Sequence, residues 1–175
     1  MDVAQAIRMK RAVRSFAPDP IPQQALQEIL NAGRRAQSAK NRQAWHFLVI
    51  RDHDALAALA KLGAYAGQLA GAAAAVAILT PDPDERWSIM FDAGQAAAYM
   101  QLAAWELGVG SCPVTIYQPD EARELLGFPA DLHLRVVLSL GYPADPAELT
   151  DSPHPGGRKA ISQVVSYDRW QDRQS

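Results

Sequence analysis

Two polar segments in the first third of the chain carry the residue types best suited to chemistry. The first is Lys10-Arg11-Ala12-Val13-Arg14-Ser15-Phe16, which places three cations within five residues. Guanidinium forks pair with phosphate or carboxylate oxygens, and an ammonium adds a point charge. Val13 and Phe16 are spaced to anchor this turn in a core. The second is Ala36-Gln37-Ser38-Ala39-Lys40-Asn41-Arg42-Gln43-Ala44-Trp45, a polar loop that delivers hydroxyl and amide groups just before an apolar run. Taken alone, each has a plain reading, as a solvated basic surface and as a capping loop. Taken together, they suit a ligand with a phosphate at one end and an uncharged polyhydroxy or heteroaromatic body.

Other chemistries fit poorly. Gly108-Val109-Gly110-Ser111-Cys112-Pro113 has two glycines of a dinucleotide turn, but Pro113 stands where the third belongs and a helix, not a strand, precedes it. It reads as a helix stop. No Gly-Lys-Ser/Thr phosphate loop occurs. His46, His53, His133 and His154 show no close helical pairing and Cys112 is the sole cysteine, so no metal site is expected. Neither Ser111 nor Ser139 has the glycines of a nucleophile elbow, and Cys112 among apolar neighbours reads as packing.

The elements that must position these segments follow from periodicity and punctuation. Asp2 can cap a short helix with Val3, Ala6 and Ile7 on one side, ending near Lys10. Pro22 opens a second helix with a buried stripe of Leu26, Ile29, Leu30 and Gly33. Strands are predicted at Trp45 to Ile50, Ala74 to Leu79 and Leu134 to Leu140, with helical stretches at Ala55 to Lys61 and Tyr65 to Leu69. The longest helix is predicted from Glu85 to Leu107. Ile89, Ala93, Ala96, Met100, Ala103 and Leu107 line one side, and Phe91, Ala98, Leu102 and Trp105 the other. A helix apolar nearly all round is buried by its own domain or by a second subunit. Pro119 and Asp120 open a short helix to Leu126. From Tyr142 the Pro-rich tail reads as a loop or extended arm.

The chain of 175 residues carries 17 Lys+Arg against 19 Asp+Glu and is 49% hydrophobic, which excludes disordered or low-complexity classes. The net charge of −2 argues against a nucleic-acid coat, yet residues 1 to 51 carry +6 and the remainder −8. Lys61 to Asp82 is uncharged between its ends and as long as a membrane span. Its glycines, Gln68 and alanines supply little hydrophobic drive, and the spacing of Gly63, Gly67 and Gly71 suits close helix packing instead. No membrane association is expected. A lone cysteine and an acidic start without an export signal make the cytosol the expected compartment.

These motifs resemble the FMN-dependent nitroreductases. Lys10 to Phe16 is similar to that family's Arg-Arg-Ser-(Ile/Val)-Arg-x-Phe, with Ala12 in the serine slot. Ala36 to Trp45 is similar to its Ala-Pro-Ser-x-x-Asn-x-Gln-Pro-Trp, with Gln37 and Ala44 in place of its prolines. Asp92-Ala93-Gly94-Gln95-Ala96, Leu107 to Cys112, Leu140 to Pro143, Arg158 and Trp170 extend the resemblance, in order, over nearly the whole chain.

The resemblance implies an α+β fold of three layers, with a central, mostly antiparallel sheet flanked by helices in an intertwined homodimer. It implies one FMN-binding domain over 1–175, whose C-terminal arm, about 144–175, reaches the partner subunit. Lys10, Arg11, Ala12 and Arg14, with Arg158, would hold the FMN phosphate. Gln37, Ser38, Ala39 and Asn41 would contact the flavin from the partner subunit. Val114, Thr115 and Ile116 would pass the flavin edge, with Thr115 a donor to N5. Asp92 is read as structural, and no catalytic acid is assigned. The implied activity is ping-pong hydride transfer from NAD(P)H through N5 to a nitroaromatic, quinone or related small-molecule acceptor. Reductive dehalogenation and flavin fragmentation are family alternatives, and a non-catalytic phosphate-ligand binding module is the reading outside enzymes.

Overall fold

The uncharged run Ala74–Thr80 forms a strand with all seven residues buried, and the other elements are arranged around it. The computed structural model describes residues 2–151 and 157–170. In chain order these form α1 (Val3–Met9), α2 (Gln23–Arg34), β1 (His46–Ile50), α3 (His53–Leu59), β2 (Ala74–Thr80), α4 (Ser88–Glu106), β3 (Gly110–Thr115), α5 (Pro119–Leu126), β4 (His133–Gly141) and a short α6 (Ala147–Thr150). The sheet order is β1-β2-β4-β3, antiparallel throughout. This is the expected α+β architecture.

Side chains alternate along β2. Ala74, Val76 and Ile78 pack with Leu26 and Ile29 of α2 and Ala96 and Met100 of α4. Ala75, Ala77 and Leu79 pack with Leu56 and Leu59 of α3 and Ala122 of α5. Because both faces are covered, the strand is continuously apolar rather than alternating. The helix ends follow local chemistry. Asp2 and Asp52 each accept a backbone N–H in the first turn, at 2.7 and 2.8 Å, and Gly127 ends α5 in the left-handed region at φ 66°.

Several sequence expectations need correction. Gly108, in the left-handed region at φ 73°, stops the long helix as expected, but Gly110–Thr115, where no strand is expected, forms β3. Its Pro113 is tolerated because β3 is an edge strand. The long helix begins at Ser88 rather than Glu85, because Asp82 caps a separate 3-10 turn at Pro83–Glu85. Tyr65 to Leu69 is replaced by a 3-10 turn at Gly67–Gly71. The glycine spacing there serves no helix packing: a Cβ at Gly67 or Gly71 would meet nothing within 4 Å, and Gly63 alone is crowded, by the Thr115 carbonyl. The tail includes the helical turn α6, while its residues 152–156, with His154, and 171–175 lie outside the described residues.

The basic segment is seated on the sheet by two close approaches. Val13 is fully buried, and its N–H donates to the Ser111 carbonyl at 3.1 Å. A Cβ placed on Gly110 would lie 2.7 Å from Val13 Cβ and Cγ2. One at Gly141 would lie 2.7 Å from Phe16 Cδ1. Ala17 N–H to the Tyr142 carbonyl and Ala144 N–H to the Ser15 carbonyl, at 2.8 and 3.0 Å, complete the seam. Gly110→Ala is therefore expected to lower stability by about 1–3 kcal/mol through overpacking, read as a lower thermal midpoint. Val13→Ala in the same chain should not restore it, because the Cβ that alanine keeps already lies 2.7 Å from the new methyl.

Candidate functional site

The seam fixes where the cations go. Lys10 closes α1 and is half-buried, Arg11 and Ala12 are half-buried, and Arg14 is exposed. Ala12 forms a parallel bridge with Ser111, so the cations lie beside the start of β3. Burial lowers the pKa of Lys10 below the ordinary lysine value; nearby Cys112 acts in the opposite sense, and Arg158 adds to the lowering. Lys10, Cys112 and Arg158 are thus electrostatic neighbours, and a tail cation is brought to the N-terminal ones. Arg11 Nη2 donates to the Asp151 carbonyl, while its Nε is buried without a hydrogen-bond partner among the described residues. Cys112 is buried, and its Sγ accepts from Gln68 Nε2 at 3.5 Å.

Strand geometry separates Val114, Thr115 and Ile116. Val114 and Ile116 point into the core with Val137 and Leu134, so they can meet a ligand only through their backbone. Thr115 is exposed, on the opposite side of the strand.

The second polar segment hangs on α4. The Ala39 N–H donates to Asp92 Oδ2 at 2.9 Å, and Gln95 Nε2 donates to the Gln37 carbonyl at 3.4 Å. Ser38 Oγ accepts from Gln43 N–H at 2.9 Å, and Asn41 Oδ1 accepts from the Gln43 side chain at 3.2 Å. Gln37 and Asn41 are exposed and Ser38 and Ala39 half-buried. The two groups of site residues sit at different levels of α4. The loop is tied at Asp92, whereas the chain leading into β3 is tied at Ala104 by the Val109 N–H, roughly 18 Å of helical rise further on.

The sequence reading missed how the loop is secured, although one signal was present. Asp92 is a carboxylate on a helix otherwise apolar nearly all round, only 5% exposed, and such a group requires a hydrogen-bond donor. Among the described residues no helix is long and apolar enough to cross a membrane.

Known proteins resemble this chain over most of its length. The model describing the Nitroreductase family matches residues 7–68 and 61–142. An Archaeoglobus fulgidus protein with the provisional name NADH dehydrogenase/NAD(P)H nitroreductase is 34% identical over 148 residues, covering 79% of this chain and 84% of its own. A Thermus thermophilus protein named NADH dehydrogenase is 26% identical over 95% of this chain and 96% of its own. The solved structure of an FMN-dependent nitroreductase from Clostridium difficile superposes with a TM-score of 0.84 at 24% identity, covering 96% of this chain and all of that one.

Lys10 gives the cation cluster a pH signature. Its lowered pKa means that the folded chain binds fewer protons than the unfolded one between that value and the ordinary lysine value. The cost of the charged form is complete below the folded pKa and is relieved as pH rises through this window. A bound phosphate favours the charged form and opposes the shift. Inorganic phosphate, titrated calorimetrically, is therefore expected to bind more weakly as pH climbs past the lowered pKa. Lys10→Arg, which stays charged, should flatten that dependence.

Proposed function

The chain belongs to the nitroreductase family, and on that footing we propose that it is an FMN-dependent NAD(P)H oxidoreductase acting as a homodimer on nitroaromatic, quinone or related acceptors. The supporting observation is the cation cluster. Lys10 and Arg158 are electrostatic neighbours from opposite ends of the chain, with Lys10 half-buried beside that like charge, and the adjacent Arg11 has its Nε buried without a hydrogen-bond partner among the described residues. Such a cluster matches a phosphate monoester, and Arg14 adds a fourth, exposed cation.

These residues fit FMN. Lys10, Arg11, Arg14 and Arg158 would hold its phosphate, and the Ala12 backbone would lie alongside, where the family's serine would contribute a hydroxyl. Gln37, Ser38, Ala39 and Asn41 would meet the flavin of the partner subunit, which accords with their place at a different level of α4. Thr115 would reach the flavin edge with its hydroxyl, and Val114 and Ile116 with their backbone. When bound, FMN would supply hydride chemistry at N5, taking two electrons from NAD(P)H and passing them to the acceptor. The protein's part is to grip the phosphate, orient the ring and leave the acceptor side open. Only Pro81 to Trp87 connects β2 to α4, which leaves no room there for a large lid.

The homodimer is supported by apolar surface that one chain leaves uncovered. Val3 and Ile7 of α1 are 72% and 64% exposed, and Phe91 of α4 is 62% exposed. A second copy would bury these faces, and the arm would reach it through the part beyond Arg158, where Ile161 and Tyr167 are 77% and 79% exposed.

The apoprotein is expected to take up FMN, show a flavin spectrum, elute at twice the chain mass, and be bleached anaerobically by NADH or NADPH. Arg11→Ala with Arg14→Ala should weaken FMN binding by at least about 100-fold. A wild-type chain that stays colourless with excess FMN would contradict the proposal, as would a double variant that retains the flavin.

A further inference from the structure

The loop between Ser38 and Gln43 takes a backbone shape that its residues do not favour by themselves. Lys40, Asn41 and Gln43 have φ of 54°, 52° and 49°. This left-handed region suits glycine and, less well, asparagine, and is unfavourable for lysine and glutamine. The stretch from Arg34 to Trp45 contains neither glycine nor proline, so nothing in its local chemistry restricts it to this shape. A conformation of this kind persists only where its surroundings impose it.

Here the surroundings are one face of α4. The Asp92 carboxylate accepts the Ala39 N–H at 2.9 Å, and Gln95, nearly one turn later, donates to the Gln37 carbonyl at 3.4 Å. Within the loop, Ser38 Oγ receives the Gln43 N–H at 2.9 Å, which closes the strained turn on itself. Asp92 is 5% exposed, and a carboxylate so buried is retained against its desolvation only through such bonds. We propose that Asp92 is a positioning residue. By capturing the Ala39 amide it holds residues 37–43 in the shape in which Ser38 and Asn41 can meet the cofactor. This role rests on the flavin reading above. Where the resembled family has prolines, this chain has Gln37 and Ala44, and its rigidity comes instead from a helix distant in sequence.

The test pairs amide hydrogen exchange in the apoprotein with FMN titration, using Asp92→Ala, Asp92→Asn and Leu56→Ala. Leu56 is fully buried on the opposite face of the sheet, so its truncation lowers stability without touching the loop. Asp92→Ala should speed exchange at Ala39 and weaken FMN binding about tenfold or more, as expected for loss of a charge-assisted bond. Asp92→Asn keeps an acceptor oxygen and should stay within about threefold of wild type. Leu56→Ala should leave the affinity unchanged. If Asp92→Ala does not fold, Asp92→Glu, which moves the acceptor by one methylene, takes its place with the same expected losses. Unchanged Ala39 exchange in the variant overturns the proposal, and so does faster exchange with unchanged FMN affinity. A wild type that takes no FMN while Asp92→Ala loosens Ala39 would overturn the flavin reading and leave the clamp standing.

Discussion

The placement of the cation cluster depends on two side chains occupying space that only glycine leaves open. Val13 fills the volume a Cβ on Gly110 would need, and Phe16 does the same at Gly141. Both glycines end sheet strands, so the basic segment is fastened to the sheet at two points, and its cations can lie only beside the start of β3. Three backbone hydrogen bonds along the seam, from Val13, Ala17 and Ala144, keep it in register. The tail leaves the sheet next to this seam, which is how Asp151 and Arg158 come to lie near Arg11 and Lys10. Cations drawn from both ends of a chain require such fixed anchoring, because like charges gathered without it would separate.

Helix α4 is the second organising element. Its inner side packs on β2 through Ala96 and Met100. Gly33 of α2 allows close approach, since a Cβ there would fall 2.6 Å from Met100 Cγ. The helix secures the polar loop through Asp92 and, nearer its far end, turns into the strand beside the cations. A single rigid element thus sets the spacing between the two halves of the site. The exposed Phe91 lies next to Asp92, so a side of the helix that one chain leaves uncovered adjoins the polar loop.

Much of this was legible in the residues. Asp2, Pro22, Pro119 and the apolar runs at 45–50, 74–79 and 134–140 marked elements whose ends lie within a residue or two of those observed, because each is set by local chemistry. Strand β3 was not legible, since its Gly110, Ser111 and Pro113 carry no β signal and it is held in place by pairing with β4. The short helix α3 was placed late because Asp52, its cap, sits among other charges. The motifs carrying Lys10 to Phe16 and Ala36 to Trp45 could be recognised. What could not be read was that Asp92 would reach Ala39, or that Val114 and Ile116 would turn inward while Thr115 turned out. Those facts depend on pairing across the sheet and on packing between elements far apart in sequence.

The phosphate grip is tested most directly by titrating the same apoprotein with FMN and with riboflavin, which differ only in the phosphate. If Lys10, Arg11, Arg14 and Arg158 hold that group, FMN binds at least about 100-fold more tightly, and high salt narrows the gap. Equal affinity for the two would contradict it, because the cations seated by Val13 and Phe16 would then contribute nothing to holding the cofactor.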